Sequence, residues 1–217
     1  LVNDDREIVW SSYANNEGCK KAAVIMQNGD DYSTGLANYF ADAFAKMDGC
    51  EVVYTGTYNT NETDFNAILT AAKAADPDVL FIPSSITTAG IIIKQAREAG
   101  INGCILASDT WDDVSIIQRV VEAGASIDGV YFSTFFIEGD DTNPAANAFA
   151  EGFKAWLKED SARLTDNSNS EEISAVTACG YDAYMAIYYA LEKAQSLDGA
   201  TLRDALAALD VPGLVTG

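Results

Sequence analysis

The side chains best able to do chemistry in this chain stand just past its short apolar runs. Tyr32 follows the run at 22–26, Ser84 and Ser85 follow 79–82, and Asp109 and Trp111 follow 104–107. Ser33, Thr34, Tyr58 and Thr87 occupy the same set of polar segments. A carboxylate pairs with an ammonium, and hydroxyls both donate and accept. The set therefore suits a small polar ligand with a cationic end. Each residue also has a structural use. Ser84 and Ser85 can form turns or cap the helix that follows. Tyr32 can cover the first helix, and Trp111 can be ordinary packing. Asp109 can cap a helix, although Asp112 and Asp113 are better placed to do so.

Catalytic and metal chemistry find little support. Histidine is absent. That removes Ser-His-Asp and Cys-His catalysis and imidazole metal ligation. No phosphate-cradling glycine motif follows a strand, and no G-x-S-x-G occurs, so no cofactor is expected. Asp30-Asp31 after the first run hints at a phosphoacceptor pocket, but the third run ends in Pro83-Ser84 where that chemistry needs an Asp. Residues 166–171 faintly suggest a calcium loop, yet Glu171 stands where its sixth-position glycine belongs. The cysteines at 19, 50, 104 and 179 form no C-x-x-C. Cys19, Cys50 and Cys104 each precede an apolar run. They read either as small hydrophobes at strand entrances or, for Cys19 and Cys50, as a disulfide between neighbouring parallel strands.

These residues need a scaffold, and the chain is long enough to build one. It has 217 residues, 48% of them hydrophobic, and a net charge of −20 from 13 Lys+Arg and 33 Asp+Glu. Such a surface repels nucleic acid and anionic membranes. No apolar run approaches the ~20 residues of a membrane span. The chain opens at Leu1, which reads as a processed or truncated product.

Five apolar runs, at 22–26, 52–54, 79–82, 104–107 and 129–132, read as strands. Helical stripes separate them. Leu36, Tyr39, Phe40, Ala43, Phe44 and Met47 make the first, closed by Gly49. Phe65, Ile68, Leu69 and Ala72 make the second, capped by Thr63-Asp64. Residues 88–99 make the third, and Val114, Ile117, Val120 and Val121 the fourth. Strand and helix in strict alternation specify an α/β fold with a doubly wound parallel sheet over residues 20–134. Ligands of such sheets bind at the carboxyl ends of the strands, where Tyr32, Ser84, Ser85, Asp109 and Trp111 fall. The remainder reads as helices without strands. One opens the chain at 5–16, with Ile8, Val9, Trp10 and Tyr13. Another carries Phe149, Phe153, Trp156 and Leu157 after a polar break at 140–144. A polar loop at 163–172 precedes a long helix at 175–194 with Tyr181, Tyr184, Met185 and Tyr188, and a last helix carries Leu202, Leu206 and Leu209.

Several stretches together carry a family resemblance. Residues 20–25 with the segment from Asp31 to Leu36, the Thr63-Asp64-Phe65 step, Pro77-Asp78-Val79-Leu80, residues 93–100 with Gln95-Ala96-Arg97-Glu98-Ala99-Gly100, and Tyr181-Asp182-Ala183 match in order and spacing. Over about residues 20–209 the chain resembles type I periplasmic binding proteins, and more narrowly the branched-chain amino-acid binding proteins of ABC transporters. The resemblance implies two α/β lobes around a ligand cleft. It assigns residues 19–134 to the carboxyl-terminal lobe. It assigns 1–18 and 135–217 to the amino-terminal lobe, whose main sheet is absent, so the chain looks like the latter part of a longer protein. It implies that Tyr32 closes over the ligand, that Asp109 binds its ammonium, and that Ser85 takes a cleft position often aromatic in leucine-type members. It further implies a small amino-acid-like ligand, a membrane permease as partner, no enzymatic step, and an extracytoplasmic address in the periplasm or by a lipid anchor. A ligand-sensing domain of a receptor or regulator on the same fold is the alternative.

Overall fold

The computed structural model describes residues 3–140, 142–211 and 213–216; Asp141 of the polar break and the side chain of Ile8 lie outside what is described. The chain divides into two compact units, residues 1–133 and 134–217.

The first unit is the expected doubly wound sheet. Its strands are β1 (Lys21–Gln27), β2 (Glu51–Tyr58), β3 (Val79–Phe81), β4 (Cys104–Ala107) and β5 (Val130–Phe132). All pair in parallel, in the order β2-β1-β3-β4-β5. The helices are α1 (Asn3–Asn16), α2 (Asp31–Ala45), α3 (Asn66–Ala74), α4 (Ile86–Glu98) and α5 (Val114–Glu122). The runs are continuously apolar because both faces of the sheet are covered. Successive side chains point to opposite faces. Thus Ala23, Ile25, Leu80, Ile82 and Ile105 pack with Leu69, Ile92, Ile93 and Val120 on one side. Ala22, Val24, Val79, Phe81 and Leu106 pack with Phe40 and Phe44 on the other. The Phe40 and Phe81 rings stack at 4.3 Å.

The opening helix packs on the first unit: α1 buries Trp10 and Ala14 in the core formed by α2 and the sheet, and Ser11 Oγ donates to Phe40 O at 3.3 Å. Its apolar residues therefore complete the same face that α2 covers. The α3 helix begins later than the Thr63-Asp64 pair suggests: Phe65 takes its N-cap position without a side-chain bond, while Asp64 Oδ1, one residue before, accepts the Asn66 N–H at 3.0 Å. Gly100 and Gly124 end α4 and α5 at φ of +77° and +71°, the left-handed turn that glycine adopts without strain.

Polar latches tie the strand entrances together. Asp78 Oδ2 accepts the N–H groups of Lys20 and Lys21 at 2.7 and 2.8 Å. Gln95 accepts from Phe65 N and donates to Thr63 O, joining α4 to the start of α3. The Arg97 guanidinium donates to four carbonyls, those of Ile101, Gly103, Ser126 and Asp128. The Gln-Ala-Arg-Glu-Ala-Gly stretch that carried much of the resemblance is thus structural in use.

All four cysteines are free thiols, so the disulfide reading of Cys19 and Cys50 is not realised. Cys50 Sγ lies 3.9 Å from the carbonyl oxygen of Cys19 and 3.4 Å from Asn15 Oδ1. Burial raises the Cys104 thiol from 9.0 to about 11, with a further rise from Cys19 and a smaller opposing pull from Arg97.

The second unit is built from α6 (Pro144–Lys158), α7 (Ser161–Asp166), α8 (Ala175–Ala194) and α9 (Gly199–Ala207), with no strand among its described residues. The short α7 overlaps the start of the segment expected to be a loop at 163–172; Asp160 caps it by accepting the Ala162 N–H at 2.9 Å. Asp182, of the Tyr-Asp-Ala triplet, is buried and clasps the chain end. Its oxygens accept the Val215 and Thr216 N–H groups at 2.8 and 2.7 Å, and the Thr216 hydroxyl at 2.7 Å. A cavity of about 580 Å³ runs between α6 and α8, lined by Phe149, Phe153, Trp156, Tyr181 and Met185. The aromatic stripe that the sequence placed on the long helix faces it in part.

Candidate functional site

The candidate residues collect where β1, β3 and β4 end, next to the point where the strand order reverses between β1 and β3. Each loop is fixed by its own backbone. Asp30 caps α2 by accepting the Tyr32 N–H at 3.1 Å, and the Thr34 hydroxyl donates to Asp30 O. The buried Ser33 hydroxyl accepts the Gln27 N–H at 2.9 Å, pinning the first turn of α2 to the end of β1. Tyr32 is thereby presented half-buried at the head of α2.

After β4 the chain makes a single 3-10 turn, Asp109–Trp111. Its hydrogen bonds run from Trp111 N to Ser108 O and from Asp112 N to Asp109 O, both at 3.1 Å. Asp113, not Asp109, caps α5, by accepting the Ser115 N–H at 2.8 Å. Asp109 Oδ1 accepts a short hydrogen bond from the Tyr32 hydroxyl.

The β3 loop is locked to this turn from below. Ser84 O accepts the Thr110 hydroxyl at 2.7 Å and the Trp111 Nε1–H at 3.1 Å, and Ser84 Oγ lies 3.2 Å from the same indole nitrogen. Trp111 and Ser84 are 2% and 1% exposed. They belong to the layer beneath the site, where a buried indole N–H finds the acceptor it needs. The Tyr58 hydroxyl joins this layer, 3.4 Å from Gln27 Oε1. Burial raises its pKa, and hydrogen bonds with Thr88 and Ser84 partly offset the rise.

Ser85 differs from its neighbour. It occupies the N-cap position of α4, yet its side chain makes no capping bond. Its hydroxyl instead meets that of Thr87 at 2.8 Å, and both residues reach the surface.

Of the five candidates, Tyr32, Ser85 and Asp109 thus stand at the surface of the site, with Tyr32 and Asp109 in direct contact. Ser84 and Trp111 hold the loops in place. The residue that sequence reasoning passed over is Thr110. A lone hydroxyl in a polar run gave no signal, and only the fold brings it to Ser84 O. Among the described residues no group of three carboxylates or thiols could hold a metal ion, and no helix is long and apolar enough to cross a membrane.

Comparison with known proteins agrees with this architecture. The family model for periplasmic binding proteins matches residues 9–217. A Leu/Ile/Val-binding protein homologue of Brucella abortus is 26% identical over 199 residues, covering 88% of this chain and 45% of the relative. An amino acid binding protein of Pseudomonas aeruginosa is 28% identical over 107 residues, 49% of this chain and 28% of the relative. A leucine-binding protein of Thermotoga maritima superposes with a TM-score of 0.84 at 27% identity, covering all of this chain and 57% of that one. The branched-chain amino-acid substrate-binding protein of Streptococcus pneumoniae, solved with isoleucine, gives 0.78 at 27% identity over 97% of this chain and 55% of its own. The chain spans roughly half the length of most of these proteins. The match across nearly all its residues, on a doubly wound parallel sheet, places the chain in the periplasmic binding protein family.

Proposed function

We propose that this chain is part of the solute-binding component of an ABC importer and binds a small amino-acid-like ligand without chemical change. The observation that carries the reading is the Tyr32–Asp109 pair at the strand ends. A carboxylate offers about four lone-pair sites, so a phenol and an ammonium can share one. The phenol orients the carboxylate, and its ring stands beside the ligand. Ser85 adds a hydroxyl, while Ser84 and Trp111 keep the β3 and β4 loops in register. A carboxylate held on a rigid frame, partly out of water, binds an ammonium better than a mobile one.

In this reading the first unit, with α1, is the carboxyl-terminal lobe, and the helices of the second unit belong to the other lobe. Ligand binding draws the two lobes together about their hinge, and the closed form is what a membrane permease recognises. The protein works on the outer side of the cell membrane. The Leu/Ile/Val-binding relatives and the isoleucine complex support the amino-acid class.

The test is a thermal-shift screen of the full-length protein against amino acids, small amides and organic acids, with Asp109→Ala alongside. Ligand raises the melting temperature by mass action. A shift with amino acids that the variant loses supports the reading. Shifts confined to organic acids, or equal in the variant, contradict it.

A further inference from the structure

The wall of the candidate site is largely polar where it reaches solvent. At the ends of β3 and β4 the large apolar side chains turn mostly inward: Pro83 and Trp111 are buried, and Ile86 packs half-buried against the core. The outward polar groups of these strand ends include Gln27, Ser85, Thr87 and Thr110, with Asn28, Asp112 and Asp113 further along the same loops. These groups are placed, not loose. Thr110 is anchored on Ser84 O at 2.7 Å, Ser85 and Thr87 share a hydrogen bond of 2.8 Å, and Gln27 Nε2 donates to Thr60 Oγ1 at 3.2 Å. Ser84 O binds both Thr110 and Trp111, so Ser85, the next residue, lies directly beside the turn that carries Asp109.

An aliphatic side chain seated on this wall strips water from hydroxyls and returns nothing. A hydroxyl or amide side chain replaces the lost water bonds. Sites that hydrogen-bond a substrate's polar group reject the analogue lacking it more strongly than apolar pockets reject an added one. The strongly negative surface, at −20 overall, also disfavours an acidic side chain. We infer that the ligand is an amino acid with an uncharged polar side chain, of the hydroxyl or carboxamide class, and that Ser85 and Thr87 select it. This rests on the amino-acid reading of the site given above, and it departs from the branched aliphatic ligands after which the relatives are named.

The test uses pairs matched in shape. Isothermal titration of the full-length protein compares L-threonine with L-valine and L-asparagine with L-leucine. The same titrations are run on a Ser85→Ala/Thr87→Val variant whose fold is checked by circular dichroism. The expected result is a preference of tenfold or more for the polar member of at least one pair, reduced in the variant. Valine and leucine binding as tightly as their partners overturns the inference and leaves the amino-acid reading standing. So does a polar preference that the variant keeps unchanged. Failure of all four to bind, with a non-amino-acid solute binding instead, overturns the amino-acid reading itself.

Discussion

The Tyr32 hydroxyl donates to Asp109 Oδ1 across 77 residues of sequence, joining the loop after β1 to the loop after β4 over the end of β3. Neither residue caps a helix by its side chain, since Asp30 and Asp113 do that work one or more positions away. The pair bridges the two strand ends where a ligand is proposed to sit. Tyr32→Phe keeps the ring and removes the donor. Hydrogen bonds to charged groups contribute about 1.5–3 kcal/mol. The free protein's melting temperature is expected to fall, because the Tyr32–Asp109 bond exists without ligand, and ligand affinity is expected to fall as well, because Asp109 loses the donor that orients it, as read by thermal denaturation and titration calorimetry.

Trp111 has the opposite signature. Its ring lies in the core and its N–H serves Ser84. Trp111→Ala removes a large buried side chain, which costs about 3–5 kcal/mol. Trp111→Phe keeps most of the volume but leaves the Ser84 carbonyl with one donor fewer, costing about 1 kcal/mol. Denaturant unfolding should rank the two in that order, and the phenylalanine variant should still bind ligand.

Arg97 holds four carbonyls around the β4 entrance. Arg97→Leu is expected to destabilise the first unit by on the order of 2 kcal/mol. Arg97→Lys should recover only part of that, because an ammonium cannot span the same fork. Chemical denaturation monitored by tryptophan fluorescence reads the difference.

The Cys104 thiol titrates at about 11 when folded, against 9.0 in an open chain, because burial penalises its thiolate. The unfolded chain therefore releases this proton first. The stability it contributes is complete below pH 9 and is lost as pH rises from 9 towards 11. Melting temperature should fall across that window, and Cys104→Val should flatten the fall. All four thiols should react with a thiol reagent after denaturation without reductant.

The sheet was legible because its signal is redundant. The central strands β1, β3 and β4 are largely buried on both faces and read as unbroken apolar runs, and alternation with helices leaves one architecture. The α1 helix was not, because the apolar stripe of Trp10 and Ala14 says that it packs but not on what; only the fold sets it beside Phe40. The α7 turn was hidden in a polar stretch whose helix rests on the Asp160 cap more than on a core. At the site, the rule that ligands gather at strand ends pointed to these loops, and residue type singled out Tyr32 and Asp109, which the fold brings into contact. Burial could not be read from type: Ser84 and Ser85 are adjacent serines, yet one is locked under Trp111 and the other faces outward. The use of Gln95, Arg97 and Asp182 as latches was equally invisible, since each bond spans loops that only the fold brings together.

The central claim is that Asp109 receives a ligand ammonium. The most direct measurement is calorimetric titration of the full-length protein and its Asp109→Asn variant with the tightest-binding amino acid and with the 2-hydroxy acid of the same side chain. Truncating a hydrogen-bonded charge pair costs about 2–5 kcal/mol. The account predicts that wild type prefers the amino acid by at least about thirtyfold and that the variant loses most of this preference. Equal binding of the amino acid by both proteins would contradict it.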